Sequence, residues 1–228
     1  MLHPWTPPHH TEAAFADYAA EPHWALIHLG ELLGILLMSA AVIALAWRLR
    51  RGVAGVWATL GAAAMVVCAS VYAIFTAVDG VAVGIMVDRW AAAGAERQEL
   101  LFETAFAVRQ IEAGLFSIQW SMFGVAAGLF AVAFFASAET PFRLDWLSVM
   151  GWLSALASVG TLAFGIVQAQ HGFSDISMAF QTGLYPGVVW IVGVGVFLYR
   201  HPEHGDGLDE ATRRTAGERV GTGGRGAP

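Results

Sequence analysis

The 228-residue chain is 57% hydrophobic and only 13% charged, with a mean hydropathy of +0.58 and a formal charge of -6. Soluble domains carry about 25% charged residues, so half that share, with several long apolar runs, excludes an ordinary soluble globule and points to a multi-pass membrane protein. The negative balance without a basic stripe excludes a nucleic-acid-binding module, and a single cysteine, Cys68, excludes an intrachain disulfide.

Lys and Asn are both absent, which removes any N-glycosylation sequon and fits a GC-rich bacterial genome. No Arg or Lys precedes Arg48, so the positive n-region of a cleaved signal peptide is missing and none is expected. Residues 1–23 are rich in Pro and His and read as an extracytoplasmic N-terminal tail. Within it Thr11, ahead of Glu-Ala-Ala-Phe-Ala, is placed to cap a short surface helix.

The first apolar run, Trp24 to Trp47, spans roughly 34 Å as a helix, enough for the ~30 Å hydrocarbon core. It ends at Arg48, Arg50 and Arg51, a positive loop that the positive-inside rule assigns to the cytoplasm, leaving the N-terminus outside. The second span starts near Val53. Apolar residues continue to Trp90, roughly 56 Å of helix, too long for one straight crossing. Asp79-Gly80 is therefore read as the outer boundary, with the remainder projecting beyond the membrane. The segment 91–96 turns the chain, and Gln98–Ile111 has helical spacing of apolar residues leading into a third span, Glu112 to Ala136. Its Gly124 and Gly128 permit close helix approach. A loop with Arg143 precedes the fourth span, about Trp146 to Ala169. The fifth covers about Met178 to Tyr199, with Pro186 as an expected kink. The Gly- and charge-rich segment 201–228 reads as a disordered cytoplasmic tail.

The expected fold is thus an all-α integral membrane protein of the cell membrane. It is a bundle of five transmembrane helices over 24–200, N-terminus outside and C-terminus cytoplasmic. Helices two and three extend beyond the outer face as a hairpin over about 80–111.

With that topology the polar residues inside the spans cluster in the outer half. His28 and Glu31 are i, i+3; Tyr72, Thr76 and Asp79 follow i, i+4, i+7; Arg109, Glu112 and Gln119 share a face; Gln168 and His171 are again i, i+3. Charges at membrane depth face the bundle interior, so these stripes predict a polar cavity opening outward, with Glu31, Tyr72, Asp79, Arg109, Glu112, Gln119 and Gln168 as candidate ligand-binding residues.

Three functions suit such a cluster. It can be a structural network in an accessory membrane subunit, which needs no motif. It can hold haem or a transition metal through His28 and His171, with Glu31 as a third ligand. It can bind or transport a small molecule, Arg109 taking an anionic group and Glu31 exchanging protons. Ser117, Ser121, Ser158 and Ser174 sit in no hydrolase motif, which argues against an enzyme. The partners implied are the lipid bilayer and other membrane subunits or further copies of the chain, without nucleic acid.

The layout from HWALIHLGELL through VDGVAV to AVRQIEAGLF resembles a group of uncharacterised bacterial multi-pass membrane proteins over roughly residues 20–200. That resemblance carries no activity and transfers no residue role.

Overall fold

The computed structural model describes residue 6, residues 10–138 and residues 145–200, and every regular element among them is helical. In chain order they are α1 (Thr11–Ala20), α2 (Trp24–Arg48), α3 (Gly52–Thr76), a π-wound segment (Ala77–Val83), α4 (Gly84–Ala91), α5 (Ala95–Ser137), α6 (Trp146–His171), α7 (Asp175–Phe180), a 3-10 turn (Gln181–Leu184) and α8 (Tyr185–Arg200). Five stretches are long and apolar enough to cross a membrane: Trp24–Arg48, Gly52–Ala91, Ala95–Ser137, Trp146–His171 and Asp175–Arg200. Arg143 and the tail 201–228 lie outside the described residues.

α5 is one unbroken helix of 43 residues, and α3 packs along one side of it while α6 packs along another. The α5–α6 seam is built from small residues that interlock. A Cβ at Gly124 would lie 2.7 Å from the Thr161 hydroxyl, one at Gly128 2.8 Å from the Ser158 hydroxyl, and one at Gly165 2.4 Å from the Ser121 hydroxyl. Glycines on each helix therefore receive hydroxyl side chains from the other, and Gly124 and Gly128 serve packing within the chain. Phe130, Phe134, Met65, Met150, Trp190 and Val194, all fully buried, complete the main core between α3, α5, α6 and α8.

Asp79 and Gly80 do not interrupt the second stretch. Gly52–Ala91 is a continuous 40-residue helix, rewound to π geometry over Ala77–Val83. A π turn accommodates an extra residue without breaking the helix, and such turns concentrate at functional sites.

The fifth stretch differs from a single kinked helix. Its irregularity is the 3-10 turn at Gln181–Leu184, and Pro186 follows as the second residue of α8, where a missing N–H costs little. The turn sits where Gly160 of α6 lets two backbones meet: a Cβ at Gly160 would fall 2.1 Å from the Gly183 carbonyl oxygen.

At one end of the bundle, called here the head, α1, α4 and the first turns of α5 enclose a second, smaller core of Ala14, Phe15, Tyr18, Trp24, Val83, Val87, Trp90 and Ala105. Ala14 and Phe15 are fully buried, so α1 is a docked element. Thr11 is its first helical residue and does not cap it: the N-cap position is His10, with no side-chain capping bond.

Candidate functional site

The polar groups of the bundle meet just below the head core, where α2 crosses the π segment. Trp24 and His28, one turn apart on α2, lie against Gly80 and Gly84, one turn apart on the partner helix. A Cβ at Gly80 would sit 2.6 Å from His28 Cβ, and one at Gly84 2.8 Å from Trp24 Cδ1. Two glycines thus seat two aromatic rings, which lie against each other with centroids 4.3 Å apart and planes tilted by 48°.

This close approach sets the hydrogen bonds. Trp24 Nε1 donates to the Asp79 carbonyl oxygen at 2.9 Å. His28 Nδ1 lies 2.8 Å from the Trp24 carbonyl oxygen, and its Nε2 lies 2.9 Å from the Asp79 carboxylate. A carbonyl only accepts, so Nδ1 carries a hydrogen and donates. The Nε2–Asp79 contact then holds one proton between imidazole and carboxylate, and neither ring nitrogen offers a free lone pair to a metal.

A second pair lies beside the first. Arg109, 2% exposed, is three residues before Glu112 on α5, and its Nη1 is 3.6 Å from the Glu112 carboxylate. Its Nη2 donates to the Tyr18 hydroxyl at 3.1 Å. The guanidinium carbon lies 5.2 Å from the Tyr18 ring centroid, 5.6 Å from Phe15 and 4.8 Å from Phe173, so aromatic faces from α1 and the α6–α7 link surround it. Tyr18 in turn stacks on Trp24 at 4.2 Å. Burial pushes the Tyr18 hydroxyl up to about 12; Arg109 acts in the opposite direction, and the charges of Glu112 and Asp79 add to the rise. Tyr18 therefore joins the two pairs, feeling Arg109, Glu112 and Asp79 together.

The remaining sequence candidates divide. Tyr72 donates to Glu31 at 3.0 Å, but Glu31 lies on the exposed side of α2, outside the enclosed cluster. Gln119 and Gln168 are each 1% exposed, and neither the side-chain Oε1 of Gln119 nor either side-chain amide atom of Gln168 has a hydrogen-bond partner. His171 is exposed at the last position of α6, before Gly172, whose φ of +58° turns the chain. Among the described residues no group of three or more His, Cys, Asp or Glu side chains is placed to hold a metal ion. Three of the serines are committed locally: Ser117 and Ser121 donate to carbonyls of their own helix, and Ser174 caps α7, while the Ser158 hydroxyl packs against Gly128.

Sequence reasoning missed Tyr18, Phe15, Trp24 as a hydrogen-bond donor, and the Gly80/Gly84 seat. The one available signal was the matched spacing, Trp24 and His28 against Gly80 and Gly84, each pair four residues apart.

No protein-family model, curated protein or solved structure matches this chain, so the geometry carries the functional reading.

Proposed function

We propose that this chain is an accessory, structural subunit of the cell membrane whose buried polar cluster locks the head onto the bundle. The head faces outward and the Arg48–Arg51 loop faces the cytoplasm, as the distribution of arginines favours. The observation that carries the reading is that the buried polar side chains His28, Asp79, Arg109 and Tyr18 pair with one another across elements. Both ring nitrogens of His28 are engaged, and Arg109 is shared between Glu112 and Tyr18. Trp24 and His28 join α2 to the π segment at Asp79, Arg109 joins α5 to α1 at Tyr18, and the His28–Trp24 and Arg109–Glu112 contacts brace α2 and α5 internally. Such a network fixes register and rigidity, and it leaves His28 no free ring nitrogen for haem or a metal.

Three single variants, His28→Ala, Asp79→Asn and Arg109→Met, test this when their stability in detergent and metal content are measured beside the wild type. A lock loses stability in all three without any change in metal content. A Soret band or one equivalent of metal in the wild type, lost in a folded His28→Ala protein, overturns it. Blue native electrophoresis of mildly solubilised membranes checks the accessory role. Migration in an assembly larger than the 24.3 kDa chain supports it, and migration of the intact protein as a monomer removes it.

A further inference from the structure

The head carries a cavity apart from the polar cluster. It measures about 300 Å³ and is lined by Glu12 of α1, Trp90 at the end of α4, and Ala95, Gln98, Glu99 and Phe102 of the first turns of α5. That volume is at the lower end of the range of small-molecule sites. Its walls combine two chemistries. The rings of Trp90 and Phe102 stand with centroids 6.1 Å apart and planes 55° from parallel, forming an aromatic corner. Phe15 braces both from behind, at 6.1 Å from Trp90 and 5.5 Å from Phe102. Glu12 and Glu99 supply the rim, both exposed and apart from the buried network. On the same turns Glu96 and Glu103 add negative charge against one arginine, Arg97.

An aromatic corner under a pair of carboxylates repels anions and suits a soft cation. Ring faces attract alkylammonium groups through their quadrupoles, and the carboxylates add long-range attraction. A bare metal ion would find too few oxygen ligands, since no three-carboxylate group is assembled there. We infer that this cavity binds a small organic ammonium ion, quaternary or protonated, with the charged head against Trp90 and Phe102 and between Glu12 and Glu99.

The source of the ammonium follows from distance, and this part rests on the membrane placement proposed above. Phe102 lies roughly 52 Å along α5 from Ser137, whereas a bilayer with its headgroups measures ~40–45 Å. With Ser137 at the inner headgroup edge, the cavity stands several Å beyond the outer headgroups. The ligand therefore comes from solution and not from the protein's own lipid.

Isothermal titration of the full-length protein in detergent tests the site, where orientation in a membrane has no bearing. Choline and tetramethylammonium are expected to bind saturably. The neutral isostere 3,3-dimethylbutan-1-ol binds roughly tenfold more weakly or not at all. Glu12→Gln/Glu99→Gln, on exposed positions that leave the core untouched, weakens choline binding roughly tenfold or more. Phe102→Leu does likewise provided its thermal unfolding matches wild type. Absence of saturable binding, equal binding of the isostere, or indifference to the double variant overturns the proposal. Repeating the titration in nanodiscs separates the sources. Undiminished binding in phosphatidylcholine discs supports a dissolved ligand, and loss there but not in phosphatidylglycerol discs reassigns the site to lipid headgroups. Maleimide labelling of Glu96→Cys in intact cells reports the orientation separately, because the native Cys68 is fully buried.

Discussion

The head end and the α5–α6 seam solve the same problem, polar side chains inside an apolar bundle, in opposite ways. In the seam three buried or half-buried hydroxyls turn back on their own helices. Ser154 donates to Met150, Thr161 to Ala157, and Ser121 to Ser117, so at these positions the contact between helices is one of shape. At the head the bonds run between elements: Trp24 to Asp79, His28 to Asp79, Arg109 to Tyr18. Self-satisfied hydroxyls tolerate sliding of one helix on another, whereas a shared proton between α2 and the π segment does not. The seam supplies close packing, and the head supplies register.

The sharpest way to break this contrast is to strip one partner from a buried pair. Arg109→Met leaves the Glu112 carboxylate without its cation in a site where Glu112 is 4% exposed, and should cost about 3–5 kcal/mol in SDS-titration stability. Arg109→Met/Glu112→Met should recover most of that loss, since two apolar residues impose no uncompensated charge. Recovery failing, with the single variant near wild type, would mean that the pair does not hold the head.

Gly80→Ala probes the seat of His28 without touching any charge. With the new methyl 2.6 Å from His28 Cβ, α2 must move away and lengthen both His28 contacts, at a cost of about 1–3 kcal/mol. The same alanine at Gly30 of α2, where nothing lies within 4 Å, should be neutral or slightly stabilising by helix propensity. Equal costs at the two positions would remove the seat from the argument.

How much of this was readable beforehand depends on the kind of residue. The periodic stripes put His28, Asp79, Arg109 and Glu112 on faces that the bundle then buries, because a charge in an apolar run has few places to go. The continuity of α5 was readable too, since nothing between Gln98 and Ala136 breaks a helix. The pairing was not. Which carboxylate takes His28 depends on the π turn at Ala77–Val83, and a one-residue insertion into helical winding leaves no compositional mark. Counted by sequence distance alone, Glu31 is the nearer acid to His28, yet it ends on the exposed face bonded to Tyr72. Tyr18 was hidden for another reason. A ten-residue helix in a Pro- and His-rich stretch has a weak pattern, and only its docking on α4 and beside Arg109 gives it a role.

That role gives a pH test. Tyr18→Phe loses the bond from a charged donor and should cost about 1.5–3 kcal/mol at neutral pH. In the wild type the folded state keeps the Tyr18 proton up to about 12, while an unfolded tyrosine releases it near its ordinary value of 10. The folded state then holds more protons between these values, so wild-type stability falls as pH rises from 10 toward 12. Tyr18→Phe lacks that decline, and the gap between the two proteins should narrow across this window. A constant gap would place the hydroxyl in contact with water.

The smallest effect is expected in the seam, and it bears most directly on the distinction. Ser154 is completely buried, as buried as any head residue, so burial alone would predict a costly substitution. Its hydroxyl, however, donates at 2.6 Å to the Met150 carbonyl, a group already serving the helix ladder. Ser154→Ala deletes one oxygen, orphans no donor, and gains a little helix propensity. Stability should change by less than ~1 kcal/mol, against the several kcal/mol at Arg109. If Ser154→Ala instead costs as much as Arg109→Met, the seam hydroxyls carry bonds across the interface, and register is set along the whole of α5.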